Sequence, residues 1–135
     1  HGMVDIPASQ RIDYSQQPEL VEGVELTSGE PRGVQLTFDP QADAACRLRV
    51  REAWQRAYGT KAWVMTREEA IERGYFGAIT EEHAARLGDL MILAAEAVAF
   101  YDGRRVAPMA FDMVGQHGSL TAGERFVPLL VHRTR

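Results

Sequence analysis

The tightest constraint on the fold is a change of period between residues 34 and 57. Val34-Gln35-Leu36-Thr37-Phe38 alternates apolar and polar side chains, the pattern of a half-buried strand. Beyond it, Ala42, Cys46, Val50, Ala53, Trp54 and Ala57 recur at helical spacing, while Arg47, Arg49, Arg51, Glu52, Gln55 and Arg56 take the other sides. Asp39-Pro40 predicts the start of that helix: Asp39 can accept from first-turn amides, and Pro40 loses nothing where the N–H would be unpaired. Gly59 is placed to end it in a left-handed conformation.

The same reading extends along the chain. Ala62–Met65 predicts a second strand, and Thr66 with Glu69 forms a capping box for a short helix stopped by Gly74. Tyr75-Phe76-Gly77 reads as a loop with exposed aromatics. Thr80 caps a helix from Glu81 to Leu87, ended by Gly88, with His83 solvated in its first turn. Leu90–Ala94 and Ala97–Tyr101 predict a hairpin turning at Ala95-Glu96. Residues 4–33 are punctuated by Pro7, Pro18, Gly29 and Pro31, with short extended pieces at Arg11–Tyr14 and Val24–Leu26. Phe126–Val131 is continuously apolar and predicts a last strand buried on both faces, although Pro128 argues for an edge or a bulge.

The expected fold is therefore α+β. Residues 34–102 form a central strand-helix-strand-helix-hairpin unit, and 1–33 and 103–135 read as pieces of a sheet whose other strands lie outside this sequence.

Charge and composition narrow the function classes. The net charge of −4, with no basic block, does not point to nucleic acid. No apolar run is long enough to cross a bilayer as a helix, and no leader segment is visible. The single cysteine, Cys46, excludes an internal disulfide framework and fits a reducing, cytoplasmic setting. It lies on the helical stripe, so it reads as core filler rather than a nucleophile. His132, between Val131 and Arg133, reads as a solvated tail residue.

The chemistry-bearing stretch is Gly115-Gln116-His117-Gly118-Ser119-Leu120-Thr121, followed by Glu124. Glycines beside a histidine let the backbone turn sharply and let other groups approach the imidazole. That suits a metal-binding or catalytic loop, and it also suits an ordinary turn. Thr121 with Glu124 is a helix-start signal. His1-Gly2-Met3 has two readings as well: the end of a purification tag, or native sequence cut from a longer chain.

Three stretches in register resemble the nucleotide pyrophosphatase/phosphodiesterase branch of the alkaline phosphatase superfamily. His1-Gly2-Met3-Val4-Asp5-Ile6-Pro7 is similar to the residues after the aspartate of its Asp-His-Gly-Met signature. Arg86-Leu87-Gly88-Asp89-Leu90 resembles the Arg-Ile-Gly-Asp segment leading out of its inserted subdomain. Gly115–Thr121 with Glu124 and Val127-Pro128-Leu129-Leu130 resembles its last metal-binding motif and the strand after it. The resemblance implies hydrolysis of phosphoester or phosphoanhydride bonds at two metal ions, usually zinc, within an α/β alkaline-phosphatase-like fold. It makes His117 a ligand of the first metal and His1 a ligand of the second.

The resemblance also implies what this sequence lacks. The aspartate before His1, an Asp-x-x-x-His pair, a further aspartate and the Thr or Ser nucleophile all belong upstream. No residue here matches a catalytic position, so the chain alone is expected to be inactive and to depend on the missing N-terminal part. Residues 34–102 would be a cap over the site, with Tyr75, Phe76 and Trp63 able to stack on a planar substrate group or to serve as core. Apolar surface left bare at Phe111–Val114 and Phe126–Val131 would favour self-association. A competing reading is a non-catalytic α+β binding or assembly module, in which the His117 loop is a plain turn.

Overall fold

The structure, a computed structural model, describes residues 1–132. Among the described residues eight strands run in the order β1 (Val4–Asp5), β2 (Arg11–Asp13), β3 (Val24–Glu30), β4 (Gly33–Phe38), β5 (Ala62–Thr66), β6 (Leu90–Ala94), β7 (Ala99–Tyr101) and β8 (Gly115–Gln116). The helices are α1 (Ala44–Tyr58), α2 (Arg67–Glu72), α3 (Glu81–Ala84) and α4 (Ala122–Arg125), with short 3-10 turns between elements. The fold is α+β. Its centre is a four-stranded antiparallel sheet in the order β3-β4-β6-β5, and two small ladders flank it: β2 with β7, parallel, and β1 with β8, antiparallel.

The period change does what the sequence predicts. In β4, Val34, Leu36 and Phe38 are buried while Gln35 and Thr37 are partly exposed. Those three side chains meet the apolar stripe of α1, where Val50, Ala53 and Trp54 are buried, and Tyr14, Leu20, Ile92, Val98 and Phe100 complete the core. Trp54 stands at its middle, edge-on to Tyr14 and Phe100 with ring centroids 5.2 and 5.4 Å away. Its indole N–H donates to Leu20 O at 3.0 Å, so the one polar atom of the largest core side chain is satisfied. Cys46 is buried on the same stripe as core filler, whereas Ala57 is exposed and Tyr58 packs in its place.

Several expectations are corrected. The long helix begins at Ala44, capped by Asp43, whose carboxylate accepts from Cys46 N at 2.7 Å. Asp39 instead accepts from Gln41 N at 2.7 Å, closing a local turn that delays the helix. Gly59 keeps a right-handed φ of −61°. It is glycine because a Cβ there would stand 2.4 Å from Gln55 O. The capping box of α2 forms as expected, and α3 stops at Ala84 rather than Leu87.

The hairpin expected over residues 90–101 does not form. β6 lies between β4 and β5, while β7 leaves that sheet to pair with β2. Both edges of β6 are taken by β4 and β5, and beyond it the buried guanidinium of Arg32 donates to the carbonyls of Glu96 and Val98 at 2.7 and 3.0 Å. The intervening chain wraps around this charge instead of turning tightly. The strand expected at Phe126–Val131 is also absent. These residues form no ladder, and Phe126, Val127, Leu129, Leu130 and Val131 are 66–94% exposed. Continuous apolarity suits a buried strand only where neighbours accept its backbone bonds, and among the described residues none lies alongside. The expected division at residue 33/34 falls just inside the start of β4, a strand that pairs with β3 in one sheet.

Truncating the central indole tests this packing. Trp54→Ala should lower the unfolding free energy by about 3–5 kcal/mol, read from urea denaturation followed by circular dichroism. Trp54→Phe should lose less, because it keeps most of the buried ring.

Candidate functional site

The two histidines singled out in the sequence, 116 positions apart, stand side by side. The rings of His1 and His117 have centroids 4.7 Å apart and are tilted by 44°. The ladder of β1 and β8 sets this up: Val4 pairs with Gln116 and Asp5 with Gly115, so continuing the register by three residues toward the start of the chain brings His1 alongside the His117 loop. Ile6 N donates to Val114 O at 2.8 Å and extends the same pairing in the other direction.

His1-Gly2 is fitted into the fold rather than trailing from it. Gly2 N donates to Gly123 O at 2.8 Å, and a Cβ at Gly2 would stand 2.7 Å from that oxygen. On the other side of the pair, Gly118 has φ +110° and its carbonyl lies over Gly33, where a Cβ would come within 2.5 Å. The glycines around the pair are thus close-packing positions, as the sequence suggested for a tight loop.

Among the described residues the pair makes one side-chain hydrogen bond, between His1 Nδ1 and Gly2 O at 3.1 Å. A carbonyl only accepts, so Nδ1 donates in that contact; in a neutral ring with this hydrogen bond Nε2 carries the lone pair. Imidazole nitrogens suit zinc and its neighbours. Among the described residues no group of three or more His, Cys, Asp or Glu side chains stands together, and the pair itself comprises two imidazoles.

A depression of about 170 Å³ is bounded by Gly118, the residue after His117, and by Leu120, Tyr75, Phe76, Met91 and Leu93; neither histidine lines it. Tyr75 and Phe76, expected on a loop, are partly exposed there. Trp63 lies on the outward face of β5 and does not line it. The other segments of the resemblance do structural work. Asp89 accepts from Phe38 N at 2.9 Å and pairs with Arg67 and Arg47 at 2.8 and 3.2 Å. Gly88 is packed where a Cβ would meet Gln35 Cβ at 2.8 Å. His83 and His132 are exposed.

Two further depressions are held by satisfied charges. One, of about 160 Å³, is bordered by Tyr14, Thr27, Glu30, Asp102 and Arg105. Burial pushes the Tyr14 hydroxyl up to about 12. The hydrogen bond from Arg104 holds the Asp102 carboxyl below its usual range, so this carboxylate is already committed. The other, of about 250 Å³, lies between α1 and β6, where Arg47 pairs with Asp89 and Arg51 with Glu69.

The residue that sequence reading missed is Arg32. Its guanidinium is fully buried and donates to Glu124 from Nε at 2.7 Å and Nη2 at 2.8 Å, a bidentate pair. Glu124 also accepts from Ser119 N at 3.1 Å and from the Thr121 hydroxyl. Thr121 precedes α4 as expected, yet its side chain caps no amide, and Glu124 turns inward. The only sequence signal for this partnership was a charged residue beside Pro31 and Gly33 at a tight turn.

Comparison with protein-family models and with curated proteins finds no match to the chain. No helix among the described residues is long and apolar enough to cross a membrane.

The pair has a pH signature. Burial pushes the Glu124 carboxyl up, but the hydrogen bonds from Arg32, Thr121 and Ser119 together outweigh it, and the net displacement is below 4.5. A carboxyl lowered in the folded state contributes stability above its unfolded value, and that contribution is lost as pH falls through the folded value. Glu124→Gln should therefore cost about 3–5 kcal/mol at pH 7, because Arg32 is left buried and unpaired. The deficit should shrink below pH 4.5, checked by urea unfolding of both proteins across pH 3–7.

Proposed function

We propose that this chain forms the C-terminal part of a metal-dependent phosphodiesterase or nucleotide pyrophosphatase, with His117 and His1 ligating two neighbouring ions, zinc by preference. The observation that carries the reading is the apposition of the two imidazoles, because the resemblance names these two residues as ligands and nothing in their sequence spacing requires them to meet. A ring separation of 4.7 Å is compatible with ions about 3.5–4 Å apart. Such a pair of cations polarises the phosphoryl group and neutralises charge on the attacking and leaving oxygens.

What this chain contributes is ligation and shape. His117 and His1 present imidazole nitrogens, with the Gly2 carbonyl holding the His1 tautomer. The depression at Tyr75 and Phe76 opens beside Gly118, where the organic part of a phosphoester would lie against apolar and aromatic side chains. The nucleophile and the remaining ligands come from outside this sequence, so the isolated chain binds metal without turnover.

Zinc titration tests the reading. The 135-residue chain should bind zinc, and His1→Ala or His117→Ala should each weaken binding at least tenfold while leaving the circular dichroism unchanged. Zinc affinity indifferent to both substitutions would sink the assignment. The chain should also leave bis(4-nitrophenyl) phosphate intact with zinc present, and turnover would overturn the claim that the nucleophile lies elsewhere.

One observation favours the second reading, an assembly module. Phe126, Val127, Leu129, Leu130 and Val131 form an exposed apolar run, with Met109, Met113 and Val114 exposed earlier in the same C-terminal region. Bare surface of this kind drives association. Sedimentation equilibrium should show dimers or larger species whose population falls in Leu129→Glu/Leu130→Glu. A monomer at all concentrations would count against an assembly role.

A further inference from the structure

We propose that the Arg32–Glu124 pair is the positioning element of the histidine pair, acting through α4 on both imidazoles at once. The purpose of this arrangement rests on the metal-site reading; its geometry does not. On one side, Ser119 is anchored twice: its N–H donates to Glu124 Oε1 at 3.1 Å and its hydroxyl to Ala94 O at 2.6 Å. His117 lies two residues before it and directly after Gln116, whose side-chain amide donates to the Tyr101 hydroxyl at 3.0 Å. On the other side, His1 is joined to Gly2, and Gly2 N donates to the carbonyl of Gly123, the residue next to Glu124. Both imidazoles are therefore tied to the same four-residue turn.

That turn does not hold itself. A helix of one turn is far below the length that persists alone, and the ladder of β1 and β8 has two residues on each strand. The anchor is the Glu124 carboxylate on Arg32, and Arg32 is fixed in turn by Glu96 O and Val98 O. Glu124 is a positioning residue and not a ligand or proton carrier. A carboxylate has about four acceptor sites, and here the partners are Arg32 Nε, Arg32 Nη2, Ser119 N and the Thr121 hydroxyl.

The test reads ring position rather than stability. In the full chain, an NOE between the His1 and His117 ring protons and affinity for zinc sulfate are measured for wild type, Glu124→Gln, Glu124→Asp and Thr121→Val. Glu124→Gln, with the amide shifts of the central sheet retained, should lose the ring-to-ring NOE and bind zinc about 10–100-fold more weakly. Glu124→Asp should restore part of both. If Glu124→Gln does not fold, Thr121→Val, which removes one donor to the carboxylate without emptying the core, should weaken both readouts to a lesser degree. A folded Glu124→Gln, or in its absence Thr121→Val, with unchanged NOE and zinc affinity overturns the proposal. Absence of the ring NOE in wild type also overturns it. An intact ring NOE without zinc binding removes the metal-site reading and leaves the positioning role standing.

Discussion

A guanidinium enclosed in a protein of this size must be neutralised and hydrogen-bonded, and the structure around Arg32 follows from that requirement. The cost of removing such a charge from water is several kcal/mol unless a partner and further acceptors are supplied. Glu124 supplies the partner; the carbonyls of Glu96 and Val98 supply the acceptors. Meeting this demand draws together the turn between β3 and β4, the crossing from β6 to β7, and the C-terminal turn α4. These segments are far apart in sequence, and the apolar core alone does not specify how they meet.

This demand is met where the chain departs from regular topology. A chain running from β6 into β7 could have folded back as a hairpin, which local apolar content favours. It instead presents alternate carbonyls to Arg32, and β7 emerges beside β2 in a parallel pairing. Phe100 then reaches the Trp54 cluster, while Tyr101 packs with Ile6 and Phe111 beneath the β1–β8 ladder. One buried charge thus connects the central core to the region carrying the two histidines. The chemistry proposed for them depends on loops that are glycine-rich, short and held mainly by this polar network.

Much of the central unit was legible beforehand. Val34, Leu36 and Phe38 on one face of a strand, and Val50, Ala53 and Trp54 on one stripe of a helix, follow from periods that the backbone imposes. The capping box at Thr66 and Glu69 was readable because all its partners lie within one turn. Asp39 and Asp43 were harder to separate, since both can accept from amides just ahead and only the intervening turn decides which begins the helix. Phe126–Val131 was misread because apolarity reports a preference for burial and says nothing about whether a partner surface is present. Arg32 was overlooked because a lone arginine at a turn is ordinarily solvated.

By itself the sequence determined the α+β character, the apolar faces of β4 and α1, the α2 cap, and the identity of His1 and His117 as candidate ligands. These depend on contacts between near neighbours, or on residue types whose chemistry is intrinsic. The tertiary structure alone decided that the two imidazoles adjoin, that Glu124 faces Arg32 rather than an amide of its own turn, and that β6 and β7 part company. The pairing of Glu124 with Arg32 turns on the cost of leaving a buried charge unpaired. That cost is set by surroundings that exist only once distant segments have come together.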